Sequence, residues 1–217
     1  WIYVYDNGSV DRTWEIAREM AKSLPQVRPY KQLDVPFNDA LRAEVFNAFR
    51  AEANPGDWWC RLDADEIYID NPKEFLPTVP ARHHVVWSVH LQYYLTPADL
   101  ERFAPEAEFE APEITERNLP RYYAANASEA RFFRHRSQLE WRSGAWPRHL
   151  GVVTPKRIRL KHLQYRSPVQ IQQRLDTRRQ AAERGWQHFG HSLETDWTTK
   201  LASPNELALD ERDGRYM

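Results

Sequence analysis

The chain has 217 residues, of which 41% are hydrophobic, 13% aromatic and 28% charged, at a mean hydropathy of -0.78. Such a length suits one compact domain, or one with a small appendage; the aromatic content is too high for a disordered chain, and no apolar run approaches the ~18 residues of a membrane span. The net charge of -1 hides a segregation: residues 1–130 carry 13 basic against 22 acidic residues, and residues 131–184 carry 14 against 3. An acidic part suited to a cation and a basic part suited to phosphates are expected, while a pI near 6.8 argues against nucleic acid as a partner.

Ile2-Tyr3-Val4-Tyr5 reads as a strand and Asp6-Asn7-Gly8-Ser9 as its turn. From about Asp11, the spacing of Trp14, Ala17, Ala21 and Leu24 predicts a helix that Pro25 ends. A short strand near Tyr30–Leu33 is followed by a helix from about Asn38, with Leu41, Val45, Phe46 and Phe49 on one face. Asp57–Leu62 then predicts a buried strand ending in Asp63-Ala64-Asp65-Glu66, with Cys60 as a buried structural thiol. Strands alternating with helices of this length predict a mostly parallel sheet covered on both faces. Further on, Val85–Leu95 reads as a strand, the Pro-rich and acidic residues 97–120 as a loop or lid, and Arg131-Phe132-Phe133 and Ile158–Leu163 as short strands. Ser167-Pro168-Val169-Gln170 is a capping box that starts a helix carrying Ile171 and Leu175 inward.

Asp63 and Asp65 carry the most chemistry. They lie at the carboxyl end of a predicted buried strand, where open α/β sheets place ligands, and alternation allows both carboxylates to share one cation. Mg²⁺ or Mn²⁺ suits carboxylate oxygens combined with substrate phosphates. An EF-hand is excluded by Ile67 and Tyr68 where oxygen ligands and Gly are needed. An aspartyl-phosphate phosphatase, a metal-dependent phosphoester hydrolase with Asp63 as nucleophile, stands as the alternative. No Gly-rich phosphate loop and no Ser nucleophile elbow is present. His83, His84, His90, His135 and His149 show no metal-ligand spacing.

The segments VYDNGSVDRT (4–13) and GDWWCRLDADE (56–66) together resemble the family 2 nucleotide-diphospho-sugar glycosyltransferases. In that family an apolar strand ends in a D-x-S-x-D-x-T turn, and a later strand ends in D-x-D. LKHLQYRSPVQIQQRL (160–175) is similar to the family's C-terminal segment, where a His follows a strand and an Arg-Ser pair precedes a helix. The resemblance implies a GT-A, Rossmann-like fold over residues 1–190, a mostly parallel sheet with helices on both faces, lacking its usual first strand before Trp1. Residues 97–150 would form a lid and acceptor region and 191–217 a polar tail. By the same resemblance Asp6 would face the nucleotide base, with Asp11 on the same turn. Asp63 would contact ribose or metal, and Asp65 would coordinate the metal under the diphosphate. His162 would be a third metal or phosphate ligand, and Lys161, Arg166 and Arg42 would bind the donor; Arg42 and Asn47 lie where related enzymes carry an Arg-Asn pair on the helix before D-x-D.

The expected activity is therefore transfer of a sugar from a nucleotide-diphosphate donor to a glycan, lipid or protein acceptor hydroxyl, with inversion and with Mn²⁺ or Mg²⁺. The family's Glu-Asp base motif has no match between residues 95 and 161; Glu140, between Leu139 and Trp141, is one candidate base and Asp99 another. Trp141, Trp146 and Tyr93-Tyr94 are read as core first and as sugar-stacking residues second. A truncated, non-catalytic binding domain is a further alternative, because the first residues already read as a strand and the chain reads as a piece of something longer. With no secretory signal or membrane span, a cytoplasmic location is expected.

Overall fold

The β-branched and aromatic run at the start of the chain forms β1 (Ile2–Asp6), and the amphipathic stretch after its turn forms α1 (Thr13–Ser23). They belong to a computed structural model that describes residues 1–100, 119–184 and 194–216. The chain forms two compact units: Trp1–Trp59 with Phe133–Gly151, and Cys60–Phe132 with Val152–Met217.

In the first unit, β2 (Val27–Gln32) pairs parallel with β1, from Ile2 opposite Val27 to Asp6 opposite Gln32. The turn after β1 requires its glycine: Gly8 has φ +106°, and a Cβ there would lie 2.8 Å from Asp34 Oδ1 and 3.0 Å from Asp34 Cα. Helix α2 (Asp39–Phe49) starts where expected, because the Asn38 side chain accepts a hydrogen bond from the Ala40 N–H at 2.9 Å. Its inner face is Ala43 and Phe46, packed with Phe133, Leu139 and Trp141. The Phe46 ring meets Trp59 edge-on at 5.0 Å and lies 5.8 Å from Trp141. Trp141 is thus core, with its indole N–H donating to the Gly144 carbonyl at 2.9 Å.

The second unit carries most of a seven-stranded sheet of β3 (Trp58–Cys60), β4 (Glu66–Tyr68), β5 (Val85–Tyr94), β6 (Tyr122–Ala127), β7 (Ala130–Arg134), β8 (Ile158–His162) and β9 (Ala208–Leu209). The order is β3-β7-β5-β6-β9, with β8 paired to β5 and β4 paired to β8. Pairs β4/β8, β5/β6 and β6/β9 are antiparallel, and β5/β8 is parallel. The expected mostly parallel, Rossmann-like GT-A sheet is therefore corrected: the large sheet is mostly antiparallel, and the small sheet of β1 and β2 is wholly parallel. The physical reason lies in the connections. A parallel crossover needs a dozen or more residues, usually a helix. Helix α1 supplies one between β1 and β2, whereas antiparallel neighbours in the large sheet such as β4/β8 and β6/β9 are distant in sequence and are not successive strands joined by one helix.

Short helices α3 (Pro72–Phe75) and α4 (Pro97–Leu100) and the long α5 (Pro168–Glu183) complete the unit. Ser167 accepts from the Gln170 N–H at 3.2 Å, the capping box read from the sequence. Ile171 and Leu175 of α5 pack on Leu95, with Trp197 and Leu201 against them. Residues 101–118 of the expected lid lie outside the described residues. Cys60 is exposed rather than buried, with its Sγ 3.3 Å from the Tyr68 hydroxyl.

Part of the polar C-terminal stretch is structural. Asp210 is buried; it accepts from the Tyr93 hydroxyl and from Lys161 Nζ at 2.8 Å, and the Lys161 ammonium also lies over the Tyr93 and Tyr216 rings. Burial opposes ionisation of Asp210, but its hydrogen bonds from Lys161, Tyr93 and the Arg212 N–H outweigh it and lower the pKa. Among the described residues, no helix is long and apolar enough to cross a membrane.

Candidate functional site

Five residues named from the sequence lie in the first unit, each engaged locally. Asp6 is buried; its Oδ1 accepts from the Gly8 and Ser9 N–H groups at 3.1 and 2.8 Å, and its Oδ2 from Gln32 Nε2 at 3.1 Å. Oδ1 thus holds the turn after β1 and Oδ2 ties it to β2. Asp6→Ala is expected to cost about 1–3 kcal/mol, because two turn N–H groups lose their acceptor; a urea midpoint unchanged from wild type would contradict it. Asp11 accepts from the Thr13 N–H at 2.9 Å ahead of α1. Arg42 pairs with Asp39 at 2.9 Å and lies over the Phe37 ring. Asn47 donates to the Trp141 carbonyl at 2.7 Å, a packing role. Glu140 is an exposed residue paired with Arg142 at 2.9 Å. Asp99, in the second unit, is buried and caps α4 by accepting from the Thr96 N–H and hydroxyl at 2.9 and 2.8 Å, so it is not available as a base.

The second unit gathers the remaining groups. The turn after β3 is held by the Glu66 N–H donating to the Asp63 carbonyl at 3.2 Å and the Leu163 N–H donating to the Asp65 carbonyl at 2.8 Å. That turn sets the Asp65 side chain beside the end of β8. Asp65 Oδ2 lies 3.5 Å from His162 Nε2 and 3.3 Å from Arg174 Nη1 of α5. Burial alone would raise the Asp65 carboxyl; the hydrogen bond and charge of His162 and the charge of Arg174 outweigh it and hold the pKa at about 2. Asp63 does not join this pair. Its Oδ2 faces Arg131 Nη1 at 3.3 Å and Arg61 Nη2 at 3.9 Å, so a shared cation between the two aspartates is replaced by guanidinium groups at Asp63.

Arg131, on β7, is itself 1% exposed and is the hub of a buried ionic cluster. It donates to Glu66 Oε1 and to Glu129 Oε1 (2.9 Å), and its Nη2 lies 3.2 Å from His90 Nε2. Arg61 adds a second guanidinium to Glu129 at 2.6 Å. Burial pushes the Glu66 carboxyl up to about 7 in spite of Arg131, and burial followed by the Arg131 charge takes His90 down to about 4. Three buried polar atoms near the middle of this sheet make no hydrogen bond among the described residues: Glu66 Oε2, His162 Nδ1 and Gln92 Nε2.

Lys161, expected at the donor, is paired with Asp210 at 2.8 Å. The Arg166 N–H donates to Gln170 Oε1 at 3.2 Å, and its side chain is half-buried. Sequence reasoning missed Glu66, His90, Arg131 and Arg174 as parts of one cluster, and dismissed His90. The available signal was a histidine inside the apolar run Val85–Tyr94 and an arginine heading Arg131-Phe132-Phe133, since such groups are rarely buried unpaired. No family model and no curated protein matches the chain.

Chemically, Asp63, Asp65, Glu66 and Glu129 face Arg61, Arg131 and Arg174, with His90 and His162 between them. Glu66, His90 and His162 each offer one ligand atom, all within 4.8 Å of one another, a grouping that could hold a metal ion. Asp65 Oδ2 lies 3.5 Å from His162 Nε2, and the ring nitrogen of His162 without a hydrogen-bond partner among the described residues is the other one, Nδ1. Imidazole with carboxylate suits Mn²⁺ better than Mg²⁺.

Proposed function

We propose that the chain transfers a sugar from a nucleotide-diphosphate donor to an acceptor hydroxyl, with a divalent cation held by Asp65 and His162. The observation that carries this reading is the meeting of Asp65, His162 and Arg174 at one carboxylate, an anion bordered by two groups able to take positive charge. When bound, a divalent cation there supplies Lewis-acid stabilisation of the departing nucleotide diphosphate. Arg174 and Arg166 are the chain's own fixed or half-buried cations for the diphosphate oxygens, where guanidinium forks match phosphate geometry. Asp65 orients Arg174 by accepting from its guanidinium at 3.3 Å. Asp63, engaged by Arg131 and Arg61, braces the turn, so nothing favours the alternative in which it attacks a phosphorus atom.

The test is a thermal-shift screen of nucleotide sugars with and without Mn²⁺. One donor class is expected to raise the midpoint by several degrees only when Mn²⁺ is present, since saturation at a hundredfold excess over Kd stabilises by about 2.7 kcal/mol. Equal midpoints across all donors at millimolar concentration, with and without Mn²⁺, would overturn the reading.

A further inference from the structure

Three neighbouring strands each bring one metal-binding side chain to the same side of the large sheet. Glu66 on β4, His90 on β5 and His162 on β8 offer ligand atoms that all lie within 4.8 Å of one another. The register explains the convergence. Glu66 sits opposite His162 across β4/β8, Gln92 sits opposite His162 across β5/β8, and His90 lies two residues before Gln92 on the same side of β5. The His90 and His162 rings meet edge-on, with centroids 5.6 Å apart.

Three buried atoms of this row make no hydrogen bond among the described residues. Glu66 Oε2 belongs to a side chain that is 0% exposed. His162 Nδ1 is the ring nitrogen left over, because Nε2 faces Asp65 Oδ2 at 3.5 Å. Gln92 Nε2 is the third. A native interior rarely leaves such atoms unsatisfied together unless something binds them. The carboxylate oxygen and the ring nitrogen can give electron pairs to a cation, and the amide can donate to a water on that cation.

We propose that Glu66, His90 and His162 hold a buried first-row transition ion such as Zn²⁺, with His162 ligating through Nδ1, and that this ion ties β4, β5 and β8 together. Two imidazoles with one carboxylate suit such an ion better than Mg²⁺ or Ca²⁺. Asp65 is not a ligand; it lies behind Nε2 and orients the ring, as carboxylates behind metal-bound histidines do. Arg131 does not close the site. It holds Glu66 by Oε1 and leaves Oε2 open. Ligation draws the His90 Nε2 lone pair away from Arg131, which keeps Asp63, Glu66 and Glu129 as acceptors. Glu66 and His90 are both buried, so the ion is out of reach of a diphosphate and its role is structural. The inference goes beyond the transferase reading and does not rest on it. A neutral imidazole has one lone pair, so with this ion in place a cation under the diphosphate keeps Asp65 and gives up His162.

The probe is Zn²⁺ alone, added to the purified, EDTA-treated chain. Calorimetry gives stoichiometry and affinity, and long-range proton–nitrogen NMR spectra of the histidine rings report which nitrogen carries the ion. One ion per chain is expected in the wild-type protein, with His162 ligated at Nδ1 and protonated at Nε2, a result that needs no variant to fold. His90→Gln and Glu66→Gln should each weaken Zn²⁺ binding at least about tenfold, since loss of an outer-shell partner alone costs that much. Ligation of His162 at Nε2 overturns the inference and leaves the Asp65–His162 cation standing. No bound Zn²⁺ at about millimolar concentration, or an affinity unchanged in either variant, also overturns it, and neither result bears on the nucleotide-sugar screen.

Discussion

Arg131→Ala is expected to lose about 3–5 kcal/mol of folding free energy, the usual cost of removing one partner from a buried ion pair. Arg131 is 1% exposed and serves three carboxylates, of which Glu66 is fully buried while Asp63 and Glu129 retain about a third of their side-chain surface. The two outer acids can turn to water. Glu66 cannot; its carboxyl, already pushed up to about 7, takes a proton when Arg131 is gone, and the lost charge-assisted hydrogen bonds and the space left by the guanidinium supply most of the penalty. Arg131→Lys should be nearly as damaging, because an ammonium lacks the fork that reaches Glu66, Glu129 and Asp63 together. A double variant, Arg131→Met with Glu66→Leu, should recover most of the loss, since apolar replacement of a buried pair is often neutral or better. Urea denaturation of the three proteins checks the set. A single variant within 1 kcal/mol of wild type would mean that the cluster is not what holds β4, β5 and β7 together.

Asp65→Asn is expected to reduce donor turnover by about 10²-fold or more, the scale of removing a fixed electrostatic group from a reacting centre. The same change should lower the denaturation midpoint modestly, less than Arg131→Ala does, since the ionised carboxylate, its pKa held at about 2 by His162 and Arg174, contributes stability at neutral pH. Asp65 keeps 21% of its side-chain surface, and its partner Arg174 keeps 27%, so both can be hydrated when the charge is gone. Asp63→Asn should behave in the opposite way, with a stability loss through Arg131 and a smaller effect on turnover. Parallel rates with the donor found by thermal shift, together with midpoints, separate the two aspartates. Wild-type turnover in Asp65→Asn would remove the carboxylate from the mechanism, and a larger turnover loss in Asp63→Asn would reverse the assignment.

Local signals in the sequence were legible where the physics is local. The Asn38 and Ser167 caps, the apolar run of β5 and the strand before Asp63 all follow from side-chain chemistry within a few residues. The sheet was not legible, because strand-helix alternation ends at Trp58 and the later strands are joined without long helices. Their antiparallel pairing is set by partners distant in sequence, such as Glu66 opposite His162. The site divides in the same way. Asp65 and His162 are visible through their position at strand ends, whereas Glu66 reads as one more acid of the run Asp63-Ala64-Asp65-Glu66, and His90 and Arg131 each look like an isolated polar residue in an apolar strand. Only the fold supplies the counter-charges that make their burial tolerable.

Strand β8 serves two masters. Lys161 and His162 are consecutive, so they leave the strand on opposite faces, one toward Asp210 and the other toward Asp65. The final residues of the chain thereby act as a mooring for the histidine without approaching it. Fraying or proteolysis at Asp210 would strip the counter-ion from Lys161, slacken β8, and register as a defect on the far side of the sheet.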